Sequence, residues 1–441
     1  MHERLAAALR SGDRNFELFA VALALGFLVL GALLLARSPA GLPVSANALI
    51  AQVAATFIAL NIGLRVLTPS ARAIAPAPLL LAALGLLLVI RLAPEVADDQ
   101  ANWVSLGAVA ALAGAWLGER RRWLRRFTYT WGFLAVLLLA FTGLFGETIN
   151  GARLWVVVAG QSVQTTEFIK VLLILFVAGY LSQEAGVLRA EPTWRSWRYL
   201  LPLGVFFLSA LAALALLRDL GTMAILAATV VLLVWVATGR TSYLLLGALL
   251  LVGSGLLGYE LFGHVRARVD AWLHPFDDPL GTGYQTVQAT FALANGGVTG
   301  VGPGFGLPDI IPAAPTDFVF AAIVEELGAA GGVAVILLFL AWFTTGLQVA
   351  SRTVDEFDRA LAAGITLLLS VQAAVILAGN LRLIPATGVT LPFVSYGGSS
   401  LVVNFGLVGL LSGLSQANAA HDPVLLEAED DGPEPELSAR T

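Results

Sequence analysis

Long apolar runs separated by short polar segments extend along nearly the whole chain, and this pattern predicts membrane-spanning helices. A helix needs roughly 20 apolar residues to cross the hydrocarbon core of a bilayer. The interval 263–316 is far longer than an ordinary connection and is rich in aliphatic and aromatic residues, which predicts a structured loop. The pattern places twelve spans, roughly at 17–36, 45–67, 78–93, 102–118, 128–147, 166–182, 200–217, 220–237, 242–262, 317–347, 360–378 and 389–415.

The composition supports a membrane protein and excludes several kinds of chemistry. Hydrophobic residues make up 58% of the 441 residues and charged residues only 12%, whereas a soluble domain carries about 25% charged residues. We therefore predict an all-α polytopic membrane protein of about twelve helices, with the long loop before the tenth. Because the chain has no cysteine, disulfides, thiolate metal sites and cysteine nucleophiles are excluded.

Basic residues are distributed unevenly between alternate loops, which predicts the orientation in the membrane. One set of loops carries Arg4, Arg10, Arg14, Arg65, Arg72, the stretch 119–126, Arg189, Arg195, Arg198, Arg240, Arg352 and Arg359. The opposite side, helix ends included, holds Arg37, Arg91, Arg153, Lys170, Arg218, Arg266, Arg268 and Arg382. By the positive-inside rule this arginine-poor side is extracytoplasmic, and both termini lie in the cytoplasm. We expect residues 1–16 to be a cytoplasmic segment and 416–441 an acidic, disordered cytoplasmic tail.

Charged residues near a bilayer are costly, so those on the predicted outer face are candidates for function. Glu167 and Lys170 lie three residues apart and share one face of a predicted helix. They can form an internal ion pair that fixes the helix, or contact an anionic ligand, and both interpretations stay open. Asp219 interrupts a long apolar run, and capping of the next helix explains it about as well as ligand contact does.

Two more polar clusters occur in the second half of the chain. Within the interval 263–316, the segment GYQTVQATFALA (283–294) is predicted to be a short helix near the membrane surface. The segment GVGPGFG (300–306) is interpreted as glycine turns rather than a nucleotide loop, because no strand precedes it and no lysine follows. The segment 381–400 is predicted to form a structured outer turn whose hydroxyl groups, those of Ser395, Tyr396, Ser399 and Ser400, face whatever the turn encloses.

A carboxylate stands at the start of the predicted tenth span, in the stretch PTDFVFAAIVEE (315–326). Thr316 is predicted to cap this helix, and Asp317 to lie in its first turn, where the helix dipole favours a carboxylate. Glu325 lies eight residues further on, about 12 Å deeper and rotated by only about 80°. Asp317 and Glu325 are therefore predicted to line one water-accessible cavity that runs inward from the outer face.

Taken in their order along the chain, these polar clusters resemble the motifs of the SEDS family of peptidoglycan glycosyltransferases, the FtsW, RodA and SpoVE proteins. The resemblance covers residues 145–415, the expected glycosyltransferase core, whereas 17–144 hold N-terminal helices that include two more than the usual ten. The chain is most similar to the longer, actinobacterial-type RodA branch. The similar motifs are NGARLW (150–155), VQTTEFIK (163–170), RDLGT (218–222), DPLGTGYQTVQA (278–289), PTDFVFAAIVEELG (315–328) and PATGVTLPFVSYGGSS (385–400).

Three positions depart from the family pattern. Pro315 stands where the family usually has a histidine, Thr165 replaces the proline of Q-P-S-E-F, and Arg218 replaces the proline before D-L-G-T. Since proline has no side-chain donor, no side-chain base or side-chain hydrogen bond can come from position 315. We hypothesise that the rigid backbone at Pro315 and the Thr316 cap position Asp317 instead.

The resemblance implies polymerisation of lipid II, in which an undecaprenyl-pyrophosphoryl disaccharide donates its glycan and the 4-hydroxyl of a second lipid II attacks the anomeric carbon. It carries the catalytic role over to Asp317, a carboxylate that can act as general base. The pyrophosphate leaving group needs cations; no metal ligand is assigned, but a divalent cation such as Mg²⁺ or Mn²⁺ can assist. The substrate-binding candidates are Lys170, Glu167, Arg153, Arg266, Arg268, Asp219, Gln285, Glu325, Ser395, Tyr396 and Ser399.

The resemblance also implies a partner, a class B penicillin-binding protein with transpeptidase activity, besides lipid II and membrane lipids and without nucleic acid. The expected location is the bacterial cytoplasmic membrane, with the active site on its outer face. Two other functions stay open. A lipid II flippase needs a polar path across the whole bilayer, whereas the intramembrane charges cluster toward the outer half; a non-catalytic scaffold would recruit the transpeptidase. The sequence does not decide between a role in elongation, division or sporulation.

Overall fold

A computed structural model describes residues 2–69, 71, 74–149, 152–158, 160–190 and 195–419 of the chain. The helices of the first half are α1 (His2–Arg37), α2 (Ala46–Leu67), α3 (Pro76–Leu92), α4 (Ala97–Glu119), α5 (Arg121–Arg126), α6 (Thr128–Phe145), α7 (Thr165–Ala190) and α8 (Trp197–Leu216). Those of the second half are α9 (Leu220–Thr238), α10 (Thr241–Leu261), α11 (Gly263–Leu273), α12 (Tyr284–Gly296), α13 (Val319–Arg352), α14 (Glu356–Asn380) and α15 (Gly398–Ala419). Arg72, the first two residues of the NGARLW motif and the predicted tail from residue 420 onward lie outside the described residues.

The predicted helical membrane fold is confirmed. Within the described residues, eleven helices are long and apolar enough to cross a membrane, and α3, with 17 residues, is shorter. Each of the twelve predicted spans overlaps one of these twelve helices, but the last, 389–415, was predicted to begin too early, because α15 begins only at Gly398. Almost every residue of α3 is buried, which places it inside the bundle. The number of twelve membrane crossings stays a prediction.

Helices α4 and α15 pack unusually closely, through small residues. A Cβ atom built on Gly409 would lie 1.7 Å from the Ala111 carbonyl oxygen, and one on Gly114 would lie 2.2 Å from that of Gly406. Only glycine allows two helix backbones to approach this far. The contact anchors α15, which follows directly on the loop 381–397.

A small antiparallel sheet joins α6 to α7. It consists of β1 (Glu147–Ile149), β2 (Ala152–Val158) and β3 (Gln161–Gln164), in the order β1-β2-β3. Trp155 on β2 pairs with Gln164 on β3, and the three successive valines that end β2 favour an extended backbone. The sequence analysis, which predicted only helices, did not foresee this sheet.

The predicted tenth span is interrupted near its start. Gly328 has φ +71° and ψ −177°, so α13 consists of a short first segment and a long second one. The backbone N–H groups of Val301 and Gly302 donate to the carbonyls of Glu325 and Glu326, both at 3.0 Å. The long interval before α13, which contains α11 and the predicted short helix as α12, therefore folds onto this first segment.

Candidate active site

Asp317 lies in a turn directly before α13 rather than in the helix. The Ala313 carbonyl accepts from the backbone N–H groups of Asp317, at 3.0 Å, and Phe318, at 3.2 Å. The Thr316 hydroxyl donates to the same carbonyl at 3.2 Å. The prediction that Thr316 caps the helix is therefore wrong: α13 begins later, at Val319, with Phe318 in the capping position.

The carbonyls of residues 315–317 are all held by distant segments. The first accepts from the backbone N–H of Tyr396 at 2.8 Å, the second from the Ser395 hydroxyl, and the third from Asn380 Nδ2 at 2.8 Å. Asn380 Oδ1 also accepts from the backbone N–H of Ala321 at 3.1 Å, in the first turn of α13. These contacts support the part of the hypothesis that assigns the position of Asp317 to a rigid backbone.

A cavity of about 240 Å³ opens beside Asp317. Its walls come from α11, α12, the end of α14 and the loop before α15. Its polar and charged lining includes Arg268, Gln285, Asp317, Asn380 and Arg382. The fold thus brings together three predicted candidates, Asp317, Arg268 and Gln285, from separate segments of the chain.

Asp317 and Arg268 approach each other around Gly388. Arg268 Nη1 donates to the Thr387 carbonyl at 2.8 Å. A Cβ atom built on Gly388 would lie 3.2 Å from Arg268 Nη2 and 3.6 Å from Asp317 Oδ2. Gly388 has φ +72°, a left-handed conformation that glycine adopts without cost. A glycine here keeps the space between the carboxylate and the guanidinium clear.

The surroundings of Asp317 change its acidity. Burial raises the pKa of the Asp317 carboxyl above that of an exposed aspartate, while the Thr316 hydroxyl and the Arg268 guanidinium act in the opposite direction. A carboxylate with a raised pKa is the stronger base, and proton transfer is most efficient when that pKa lies near the working pH. The cavity therefore combines a proton acceptor with a cation that can stabilise negative charge.

The sequence analysis missed Asn380 as a site residue and placed Arg382 only among the outer-face cations. Trp272 Nε1 donates to the Arg382 carbonyl at 2.9 Å, and Arg382 Nη2 donates to the Trp272 carbonyl at 3.2 Å. This reciprocal pair fixes α11 against the end of α14. Asn380 is a polar residue at the end of the apolar run 373–379 of α14, and that position was the only local signal for it.

Glu167 and Lys170 form the predicted internal ion pair. Lys170 Nζ lies 2.8 Å from Glu167 Oε2 and donates to Gln372 Oε1 at 2.8 Å. Both residues are only 1% exposed. Gln372 Nε2 in turn donates to the Thr390 carbonyl at 2.9 Å, in the loop before α15. Contact with a ligand by either residue stays a prediction.

Asp219 caps α9, as one interpretation of the sequence predicted. Its Oδ1 accepts from the backbone N–H of Thr222 at 3.0 Å. Two residues after Asp219, Gly221 packs on the loop before α15, where a Cβ would lie 2.7 Å from the Thr387 carbonyl oxygen. The RDLGT turn therefore supports the same carbonyl that Arg268 binds.

Glu325 does not line the cavity around Asp317. Its Oε1 accepts from Asn295 Nδ2 at 3.1 Å and from the backbone N–H of Leu307 at 3.2 Å. The prediction that the two carboxylates share one cavity is therefore wrong, because the loop 300–309 folds over Glu325.

The neighbouring Glu326 binds the same loop. Its Oε2 accepts from the backbone N–H of Gly304 at 2.9 Å, and its Oε1 lies 3.3 Å from Arg91 Nε. Arg91 also pairs with Asp309 at 3.2 Å. The two glutamates of the stretch 315–326 thus hold the glycine-rich loop in place.

The remaining candidates lie outside the cavity lining. Arg153, on β2, donates to a carbonyl near the end of α6 at 3.0 Å. Arg266 lies 3.6 Å from a glutamate at the end of α10. Ser395 and Tyr396 bind the turn before Asp317, and the Ser399 hydroxyl accepts from the backbone of β3 at 2.9 Å. In the described part of the chain, no group of three or more histidine and acidic side chains is placed to hold a metal ion.

Comparisons with known proteins find relatives over most of the chain. Residues 79–420 match the FtsW/RodA/SpoVE family model, described as a cell cycle protein; the match begins within α3. Peptidoglycan glycosyltransferase RodA of Mycobacterium bovis is 38% identical over 329 residues, which are 72% of this chain and 70% of that protein. Stage V sporulation protein E of Bacillus subtilis is 35% identical over 303 residues, which are 67% of this chain and 80% of that protein.

Solved structures share the fold. One is a chain from work on the structural coordination of polymerization and crosslinking by a peptidoglycan synthase complex. It is 29% identical, with a TM-score of 0.62 over 77% of this chain and 95% of that chain. The rod shape determining protein RodA of Thermus thermophilus is 27% identical, with a TM-score of 0.57 over 77% of this chain and 94% of that chain.

Proposed function

We propose, because the chain belongs to the FtsW/RodA/SpoVE family, that this multi-pass membrane peptidoglycan glycosyltransferase polymerises lipid II into glycan strands. The observation that carries the assignment of the site is that the Asp317 carboxylate and the Arg268 guanidinium both lie beside Gly388, in a cavity large enough to admit part of a sugar substrate.

In the proposed reaction Asp317 is the general base. The 4-hydroxyl of the acceptor lipid II gives its proton to the Asp317 carboxylate while its oxygen forms a bond to the anomeric carbon of the donor. The bond from that carbon to the phosphate oxygen breaks, and its electron pair leaves with undecaprenyl pyrophosphate. The raised pKa of Asp317 and its fixed backbone both favour this role, because a general base must be within hydrogen-bond reach of the proton that it takes.

The leaving group needs positive charge rather than a proton, since the pyrophosphate is already an anion. Arg268 and Arg382 are the basic residues in the cavity lining, and such fixed cations stabilise charge that develops in the transition state. Lys170 is buried in its own ion pair and contributes indirectly, through Gln372 and the loop that Arg268 also binds. A divalent cation that accompanies the pyrophosphate would add charge at the same place.

We further propose that the site faces the outside of the cytoplasmic membrane and that a class B penicillin-binding protein is the partner. The orientation rests on the unequal arginine content of the two sides. The proposed partner is supported by the similar chain from a peptidoglycan synthase complex, which coordinates polymerization and crosslinking.

The decisive experiment measures glycan synthesis by the purified full-length protein. The protein is reconstituted with lipid II, with and without a class B penicillin-binding protein, and the products are separated by length on a gel. We expect glycan strands, longer or more abundant with the partner. Transfer of lipid II between leaflets of vesicles without strand formation would instead support a flippase. The absence of both activities would support a scaffold.

A further inference from the structure

A second, larger cavity of about 620 Å³ lies beside the sheet, away from Asp317. Leu139 and Gly143 of α6 form one wall, the end of α8 with Leu216 and Leu217 forms another, and Arg153 of β2 lies at its sheet end. Leu139 is about 9 Å from the end of α6 at 1.5 Å per residue. Leu216 is 84% exposed, so the apolar part of the cavity faces the surroundings of the bundle, where lipid chains lie.

Arg153 and Arg218 place two cations in this cavity. Arg153 is held on β2 by its hydrogen bond to the Gly143 carbonyl. Arg218 is exposed, and its guanidinium makes no hydrogen bond or ion pair with any residue that the structure describes. It also has φ +64°, a left-handed conformation that is costly for a residue with a Cβ atom. This conformation serves the fold, because the backbone N–H groups of residues 218 and 219 donate to carbonyls in the last turn of α8 and close its end. The guanidinium has no such role and remains available to a ligand.

Arg218 is connected to the wall of the Asp317 cavity in two ways. Three residues after it, Gly221 packs on the Thr387 carbonyl to which Arg268 donates. In addition, burial lowers the pKa of His264 on α11, and Arg218 and Arg268 act in the same direction. Both guanidinium groups thus act on the same histidine, which lies on the helix that carries Arg268.

We propose that Arg153 and Arg218 bind the pyrophosphate of the acceptor, a second polyprenyl-linked substrate whose hydrocarbon chain lies against the leucines of the second cavity. The proposal rests on the proposed function, which supplies this class of lipid. Two arginines match a diphosphate better than the single phosphate of a bulk phospholipid, because guanidinium groups bind phosphate oxygens in pairs of hydrogen bonds. Arg218 stands where the family motif has proline, so the usual motif does not supply this cation.

The test measures binding of undecaprenyl pyrophosphate, which lacks the sugars and cannot react. The full-length protein is placed in nanodiscs of phosphatidylcholine, and its affinity for the probe is determined for the wild type and for Arg218→Asn. We expect the substitution to weaken binding about tenfold, the loss of one charged contact, and Arg218→Lys to recover part of it. Arg352→Gln removes one charge at the far end of α13 and should bind like the wild type.

Folding of the variants is not expected to limit the experiment, since asparagine tolerates the left-handed conformation better than most residues. Arg218→Gly, which adopts that conformation freely, provides a second variant, and thermal unfolding checks both. In polymerisation assays, either should raise KM for lipid II about tenfold and change kcat by less than about twofold.

Two results would overturn the proposal. One is equal affinity for the probe in the wild type and in both Arg218 variants. The other is displacement of the probe by the same concentration of phosphatidylglycerol, which would make the cavity a general site for anionic lipids. A wild type that binds the probe through Arg218 but forms no glycan would contradict the proposed function and leave this binding site intact.

Discussion

Two sets of a carboxylate and a cation lie beside the loop 385–391, and they differ in their access to solvent. Lys170 reaches the loop through Gln372 and is buried with Glu167, each only 1% exposed. Arg268 donates to the loop directly and lines an open cavity with Asp317.

The comparison shows that similar charges can serve opposite purposes within one small region. The buried pair is enclosed by protein groups, and through Gln372 it joins α7, α14 and the loop. Asp317 is positioned by hydrogen bonds to the backbone around it, so its carboxylate and the Arg268 guanidinium remain available to a substrate. We therefore expect changes at the first pair to act mainly on folding and changes at the second pair to act mainly on chemistry.

The strongest test of this division is Asp317→Asn, which keeps the size of the side chain and removes the base. We expect glycan synthesis to fall by about 10² to 10⁴-fold with normal accumulation and thermal stability in the membrane. Asp277→Asn, which alters an exposed aspartate outside both cavities, is the matched control and should stay active. Wild-type strand formation by Asp317→Asn would remove Asp317 from the mechanism.

Lys170→Met should act on folding instead. It leaves the buried Glu167 carboxylate without its cation, which costs about 3–5 kcal/mol in comparable buried pairs. Yield of folded protein and thermal unfolding measure the loss, and the double substitution with Glu167→Gln should recover much of it. If Lys170→Met folds normally and lacks only activity, Lys170 contacts the substrate and the comparison fails.

Arg268→Gln should lower kcat/KM by roughly 10- to 100-fold, because a cation near the leaving group is lost. It should also shift the pH profile. The guanidinium holds the pKa of Asp317 down against burial, so its removal raises that pKa further. Since the base works when deprotonated, activity is lost as pH falls through the pKa, and the acid limb should move to higher pH.

Arg268→Lys, which keeps the charge, should retain most of the original acid limb in the same pH–rate measurement. An acid limb at the same pH in the wild type and in Arg268→Gln would show that this guanidinium does not act on the base.

The smallest effect is expected at Pro315. Pro315→Gly makes the backbone before Asp317 more flexible, and ordering it then costs roughly 0.4–1 kcal/mol more free energy. If this cost is added to the activation free energy, turnover decreases about two- to fivefold. Pro315→His should be tolerated, because the backbone contact from Tyr396 to the carbonyl of residue 315 does not depend on the side chain. Initial rates of lipid II polymerisation decide the point: full activity of Pro315→Gly would make the proline incidental.

The sequence by itself determined the features that depend on neighbours along the chain. Apolar runs of the right length predicted the helices, because helix formation and membrane insertion respond to local hydrophobicity. The spacing of Glu167 and Lys170 predicted their ion pair, because residues three apart share a helix face. The motif around Asp317 indicated the site through its resemblance to a family.

Only the tertiary structure decided which polar groups meet. Asn380 binds the carbonyl of Asp317 across 63 residues of sequence, and Ser395 binds the carbonyl of Thr316 across 79; no local pattern encodes such pairs. Glu325 shares a helix face with the start of α13, yet its carboxylate accepts a hydrogen bond from a loop that packs over it. The helical period specifies the direction in which a side chain leaves its own helix. Which other segment packs against that side chain depends on the packing of the whole chain.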